Sequence, residues 1–313
     1  MDPFDAIGAS LQPLEGGFSG ETFLAQIGGA GGAGGAGGER SVVRIFAAPH
    51  HGPHAAEVQE SLLRLVRGLV PVPRVLELRR ADAGVGMPAM LVTEHLPGVR
   101  GDLLLADLRA SGATDALAVV GRALGTVAAT LAGMPQLRAG RFVDGDLGVE
   151  PGQDDLEEWV ARHAGALAER GWTEEALDAL TRMAGHAQGR LDAVDRTALV
   201  HGDLVPENVL VDPGTLAVTG VVDWERAHAG HPFADLGSLL RVDRDPSWTA
   251  GVLATWQARL GADPAEALDL ARCADLAALV ELATRAGESP AADTADRLLR
   301  AIVAGGDVHA VPG

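Results

Sequence analysis

The spacing of apolar positions along the chain changes character near residue 97. Ahead of it, apolar and polar residues form short runs at 11–14, 21–27, 41–46, 74–78 and 89–94, the pattern of half-buried strands. One stretch among them, 54–68, is helical. Leu62, Leu63, Val66, Leu69 and Val70 fall on one face of it, and Pro71-Val72-Pro73 ends it. Beyond residue 100 the period becomes that of helices, in Ala- and Leu-rich segments at 115–132, 154–169, 173–194, 246–260, 264–285 and 291–304. Thr173 followed by Glu174 and Glu175 marks a helix start, a capping hydroxyl with acids in the electropositive first turn. Strand character returns only at 198–200, 209–211 and 217–222. These patterns predict an α+β chain with a small sheet lobe over 1–96 and a large helical lobe over 97–313, divided near Pro97-Gly98.

Composition narrows what such a chain can do. Its 313 residues carry 25 basic and 43 acidic side chains, a net charge of −18, which disfavours nucleic acid or an anionic membrane as partner. There is no lysine, so a Walker A lysine, a Schiff base and a lysine general base are excluded. Residues 28–38 contain only Gly and Ala and read as a hairpin loop, because no helix and no G-K-[ST] follow as a phosphate cradle requires. The single cysteine, Cys273, cannot form an internal disulfide and reads as a small buried residue on a helix. The apolar stretch 116–134 is interrupted by Arg122 and reads as a core helix. The first ten residues hold two Asp and no basic cluster, unlike a secretory signal, so a cytoplasmic location is expected.

The chemistry concentrates at His201-Gly202-Asp203-Leu204-Val205-Pro206-Glu207-Asn208, a strand, and then Val221-Val222-Asp223-Trp224-Glu225. Phosphoryl transfer needs a carboxylate to take the acceptor hydroxyl's proton and oxygen ligands for magnesium on the triphosphate. An Asp, an amide five residues later and a second Asp beyond a strand turn supply these. The chain's only Asn, Asn208, stands at the position this pattern requires.

The H-x-D-x-x-x-x-N pattern resembles the catalytic core of the kinase-like superfamily, most closely the aminoglycoside phosphotransferase/choline kinase family of small-molecule kinases. The resemblance runs from residue 11 to about 241. It implies a bilobal protein-kinase-like fold with an antiparallel-sheet N-lobe and a mainly helical C-lobe. It makes Asp203 the catalytic base, Asn208 and Asp223 the metal ligands, and His201 a packing and hydrogen-bonding support of the loop. Gly230-His231-Pro232-Phe233-Ala234-Asp235-Leu236 resembles the family's G-x-P-x-x-D-L segment, with Asp235 bracing the loop backbone. Only 11 residues separate Asp223 from Asp235, too few for the activation segment of a protein kinase. About 100 mostly helical residues between the presumed hinge and His201 would build a substrate subdomain.

In the sheet lobe the same resemblance assigns residues 14–23 as a glycine-containing nucleotide-positioning loop, with Ser19 a phosphate contact. The segment 90–98 looks like the hinge, where the backbone of Thr93, Glu94, His95 and Leu96 would meet the adenine edge. Arg44 occupies the place of the superfamily lysine and shares a strand face with Val42 and Phe46, so Val42 is assigned to the nucleotide site with it. Arginine keeps the charge but replaces a compact ammonium by a planar fork. Its carboxylate partner is expected from the following helix, with Glu60 favoured over Glu57, and Gln59 nearest the apolar face.

ATP or GTP with Mg2+ would be the cofactors. The acceptor would be a hydroxyl-bearing small molecule, of which aminoglycosides are the leading class. The acidic balance is compatible with a polycation, and Asp144, Asp146, Glu150, Asp154, Asp155, Glu157 and Glu158 form its densest cluster, although a solvated surface accounts for them as well. Glu225 is a further candidate to face the substrate. The alternative is a kinase-fold protein that binds nucleotide or metabolite without catalysis, a reading supported by Arg44 and opposed by the intact Asp203, Asn208 and Asp223.

Overall fold

The computed structural model describes residues 9–13, 22–27, 40–47, 51–82, 84–152 and 155–313. The 28–38 run, the 14–21 part of the nucleotide loop with Ser19, and Asp154 lie outside the described residues. The first part of the chain folds as β1 (Ala9–Pro13), β2 (Thr22–Ile27), β3 (Arg40–Phe46), α1 (Ala55–Val66), β4 (Val75–Arg79) and β5 (Ala89–Glu94). The strands form one antiparallel sheet in the order β1-β2-β3-β5-β4, which sets Arg44 opposite Thr22 on one side and Leu91 on the other.

Leu62 and Leu63 of α1 are buried, with Val66 and Val70, and Gln59 joins that buried side. Leu69 does not share the face: it is 59% exposed. The helix stops at Val66 and Arg67 turns to extended backbone, so the helical phase no longer applies three residues later.

The chain then passes through β6 (Val99–Arg100), α2 (Gly101–Ala110) and α3 (Thr114–Ala132). Next come β7 (Pro135–Gln136), β8 (Gly140–Phe142), β9 (Val149–Pro151), α4 (Leu156–Glu169) and α5 (Glu174–Leu191). After these follow β10 (Thr197–Val200), β11 (Val209–Val211), β12 (Val218–Val221), β13 (His228–Gly230), α6 (Ala234–Leu240), α7 (Pro246–Leu260), α8 (Pro264–Ala283) and α9 (Pro290–Gly305). Side chains of Asp155, Thr173, Asp245, Asp263 and Ser289 accept backbone N–H bonds at the starts of α4, α5, α7, α8 and α9.

Helix α3 is long and apolar enough to cross a membrane by composition, but over half of it is buried against the protein. It packs closely on α7 through Gly121, Gly125 and Gly251, where an added Cβ would collide with the opposing backbone. Helices α2 and α6 do not show in the apolar pattern. No side chain caps α2, and α6 has seven residues, too few to display a period.

Two connections join sheet and helices at the site. β6 pairs with β11, Leu210 opposite Arg100, so the segment after β5 is stitched to the strand that follows the HGD loop. The Thr219 hydroxyl donates to the Pro97 carbonyl at 2.5 Å, fixing the β12 side of the same junction.

Candidate active site

The loop after β10 is held from below by a buried carboxylate. His201 is fully buried; its N–H donates to Asp235 Oδ2 at 2.8 Å, and the Gly202 N–H donates to Oδ1 at 3.1 Å. Burial pushes the Asp235 carboxyl above its ordinary range, against the pull of His201 and these two N–H groups. The His201 ring bridges its surroundings: Nε2 meets the Val222 carbonyl at 3.0 Å and Nδ1 accepts from the Asp203 N–H at 3.3 Å. One ring nitrogen faces a carbonyl and the other an N–H, so the ring is held at both ends. Gly202 lies in the left-handed region at φ +82°, and a Cβ there would overlap the Arg226 carbonyl, so the loop needs glycine.

Asn208 closes the loop. Its Nδ2 donates to the Asp203 carbonyl and to Asp203 Oδ2, both at 2.9 Å, and the Val222 N–H donates to the Asn208 carbonyl at 2.9 Å. With the amide nitrogen engaged on Asp203, the amide oxygen is the donor atom left for a hard cation. Asp223, just beyond β12, adopts φ +63°, ψ +60°, a left-handed turn that is unusual for a residue with a side chain. Amide oxygen and carboxylate are the donor chemistry that magnesium prefers, so Asn208 and Asp223 fit the ion.

Arg44 reaches this turn from β3. Its Nη1 donates to Asp223 Oδ1 at 2.8 Å, Nη2 pairs with Glu225, and the guanidinium lies over the Phe46 ring with 5.5 Å to the centroid. Glu60 is not its partner: it pairs with Arg64 at 2.7 Å, one turn along α1. Glu57 lies 3.4 Å from Arg80, and Gln59 is buried. The carboxylates for Arg44 come instead from the Asp223–Glu225 turn, some 180 residues further along the chain.

Val42 sits between Leu24 and Thr93 in the sheet, and Thr93 is buried. The Glu94 N–H donates to the Arg74 carbonyl at 3.0 Å, its carboxylate accepts from the Arg74 N–H, and the His95 N–H donates to the Arg40 carbonyl at 3.4 Å. Those two amides are thus engaged within the sheet. Leu96 packs where a side chain on Gly220 of β12 would stand.

Beside the loop opens a cleft of about 1690 Å³ whose lining includes Gly202, Glu225, Arg226, Trp159, Asp275 and Glu281. Of the described residues of the acidic cluster, Glu150 and Asp155 reach it. Glu150 pairs with Arg141, and Asp155 caps α4. Asp144 instead accepts the N–H groups of Asp146 and Gly148 in a local turn.

Two cations that the sequence reading missed complete the surroundings. Arg241 forms a buried fork on Asp275, with three N–H···O contacts between 2.8 and 3.0 Å. Arg226 pairs with Glu281. Burial draws both guanidinium pKa values down, but their carboxylate partners, with Asp203 adding to the same field, raise them overall. The only signal was Asp275 at an inward position of an otherwise apolar helix face.

The profile of the phosphotransferase enzyme family matches residues 10–302. At 30% identity over 187 residues the chain is similar to an aminoglycoside 3'-phosphotransferase of Streptomyces fradiae, covering 56% of this chain and 61% of the relative. At 35% over 182 residues it is similar to a streptomycin 3''-kinase of Streptomyces griseus, covering 56% and 60%. The match thus spans about 60% of the length of these relatives. Among solved structures, the GDP complex of an aminoglycoside 2'-phosphotransferase superposes with a TM-score of 0.64 at 19% identity, over 95% of this chain and 92% of that one. That likeness shows a shared α+β, protein-kinase-like fold.

Proposed function

The chain belongs to the phosphotransferase enzyme family, and from that premise we propose that it is a kinase phosphorylating a hydroxyl of a small molecule, with aminoglycosides as the first acceptor class. The observation that carries this reading is the position of Asp203. Its carboxylate is fixed by Asn208, on a loop braced by Asp235, and the neighbouring Gly202 lines the open cleft.

Asp203 takes the acceptor hydroxyl's proton as that oxygen bonds to the γ-phosphorus and the bond to the leaving nucleoside diphosphate breaks. A magnesium-bound ATP or GTP supplies the phosphoryl group and the neutralising charge. Asn208 and Asp223 would hold the metal, and Arg44 would meet the phosphates. The Glu94 and His95 amides are engaged on Arg74 and Arg40, so adenine or guanine would be read elsewhere along the 93–96 backbone. Dependence on a nucleoside triphosphate fits a cytoplasmic enzyme.

Incubation with magnesium-ATP or magnesium-GTP and a panel of aminoglycosides, macrolides and amino alcohols, read by mass spectrometry, tests this. The expected result is one added phosphate on an aminoglycoside. The second reading, nucleotide binding without transfer, is favoured by the Arg44–Asp223 contact and wins if magnesium-nucleotide stabilises the protein but neither acceptor phosphorylation nor slow nucleotide hydrolysis exceeds background.

A further inference from the structure

Arg44 makes two separable contacts. Nη1 is on Asp223, the carboxylate assigned to the metal, and Nη2 is on Glu225, two residues further along the same turn. The Arg44 side chain is only 11% exposed, and its Nε is buried with no hydrogen-bond partner among the described residues. Among the described residues its orientation rests on the two Nη groups and the Phe46 face. A cation that takes Asp223 removes one of them. The planar fork fixes which nitrogen faces which carboxylate, whereas a lysine would present its three donors from a single rotatable ammonium.

We propose that Glu225 is the positioning carboxylate of the nucleotide clamp. It retains Arg44 by Nη2 when Asp223 turns to the metal, leaving Nη1 directed at the phosphates. This gives Glu225 the part for which Glu60 was the expected residue, and assigns it to the nucleotide side of the cleft. Glu60 pairs instead with Arg64. The inference rests on the kinase reading above, and it is a claim about nucleotide affinity and metal exchange, each measurable without an acceptor.

The test is titration calorimetry of the full chain with magnesium-ATP and, separately, magnesium-GTP, in the absence of acceptor. If the wild-type protein binds neither, the kinase reading itself fails. If it binds one, Glu225→Gln weakens that binding about tenfold, the size of one charge-assisted hydrogen bond. Glu225→Asp recovers part of the loss, and Arg44→Gln combined with Glu225→Gln is no weaker than Arg44→Gln alone. In steady state, Glu225→Gln raises KM for the nucleotide and leaves KM for the acceptor within twofold. Arg44→Gln binds Mn2+ several-fold more tightly than wild type without nucleotide, because Asp223 has lost its competing partner. Unchanged nucleotide affinity in Glu225→Gln, a rise confined to the acceptor KM, or additive losses in the double variant would each overturn the proposal. Unchanged Mn2+ binding in Arg44→Gln would overturn the exchange at Asp223.

Discussion

The loop around Asp203 and the strand bearing Arg44 bring charge to the same cleft by opposite means. The loop is fixed by hydrogen bonds with buried or half-buried partners: two backbone amides on Asp235, the His201 ring between Val222 and Asp203, and the Asn208 amide across Asp203. None of these contacts must break for a ligand to arrive. Arg44 is held by two carboxylates that are themselves about one-third exposed, one of them a candidate metal ligand. A rigid loop suits proton transfer, which depends on placement to fractions of an ångström, whereas an exchangeable ion pair suits a group that must release one partner to take up phosphate.

The contrast can be broken most sharply at Asp203. Asp203→Asn is expected to lower turnover about a thousandfold, the usual contribution of a general base, with Mg-nucleotide affinity within twofold; steady-state kinetics and calorimetry check the pair. Asp235→Asn presents an amide N–H to one of the two backbone donors. It should lower stability by about 3 kcal/mol, as for an unsatisfied buried donor, and reduce turnover, measured by urea denaturation and kinetics.

The loop's surroundings also carry a pH signature. Burial lowers the His231 pKa from 6.5 to about 4, while the ring contacts the Leu191 carbonyl and the Phe233 N–H. Between those values the unfolded chain binds the extra proton, so stability falls as pH drops from 6.5 toward 4, by up to about 3 kcal/mol. His231→Gln should flatten that part of the stability profile, measured by denaturant midpoints across the range. The clamp gives the smallest effect. Arg44→Lys should weaken nucleotide binding about fivefold, because a compact ammonium replaces the planar fork that meets Asp223 and Glu225 through separate nitrogens.

The two regions were unequally legible in the sequence. His201, Asp203 and Asn208 lie within eight residues, and Asp235 follows in its own motif, so two short segments that resemble the family's motifs brought the loop to notice. Thr173 likewise announced its helix by its cap, and the structure puts its hydroxyl on the Ala176 N–H. The partner of Arg44 was not legible. Local register put Gln59 nearest the apolar face and left Glu60 favoured over Glu57, but Glu60 pairs with Arg64 one helical turn along α1, and the partner choice depended on how a distant turn packs against the sheet. The Arg241–Asp275 pair was hidden for the same reason, since it joins α6's end to α8. Leu69 failed as a core prediction because helical phase was extended past the true end of α1.

The most direct test of this division of labour sets Asp203→Asn beside Arg44→Lys, with turnover and nucleotide affinity measured on both. The account predicts a crossed result: Asp203→Asn loses turnover and keeps nucleotide affinity, while Arg44→Lys loses affinity and keeps most of its turnover at saturating nucleotide. Near-wild-type turnover in Asp203→Asn would contradict it.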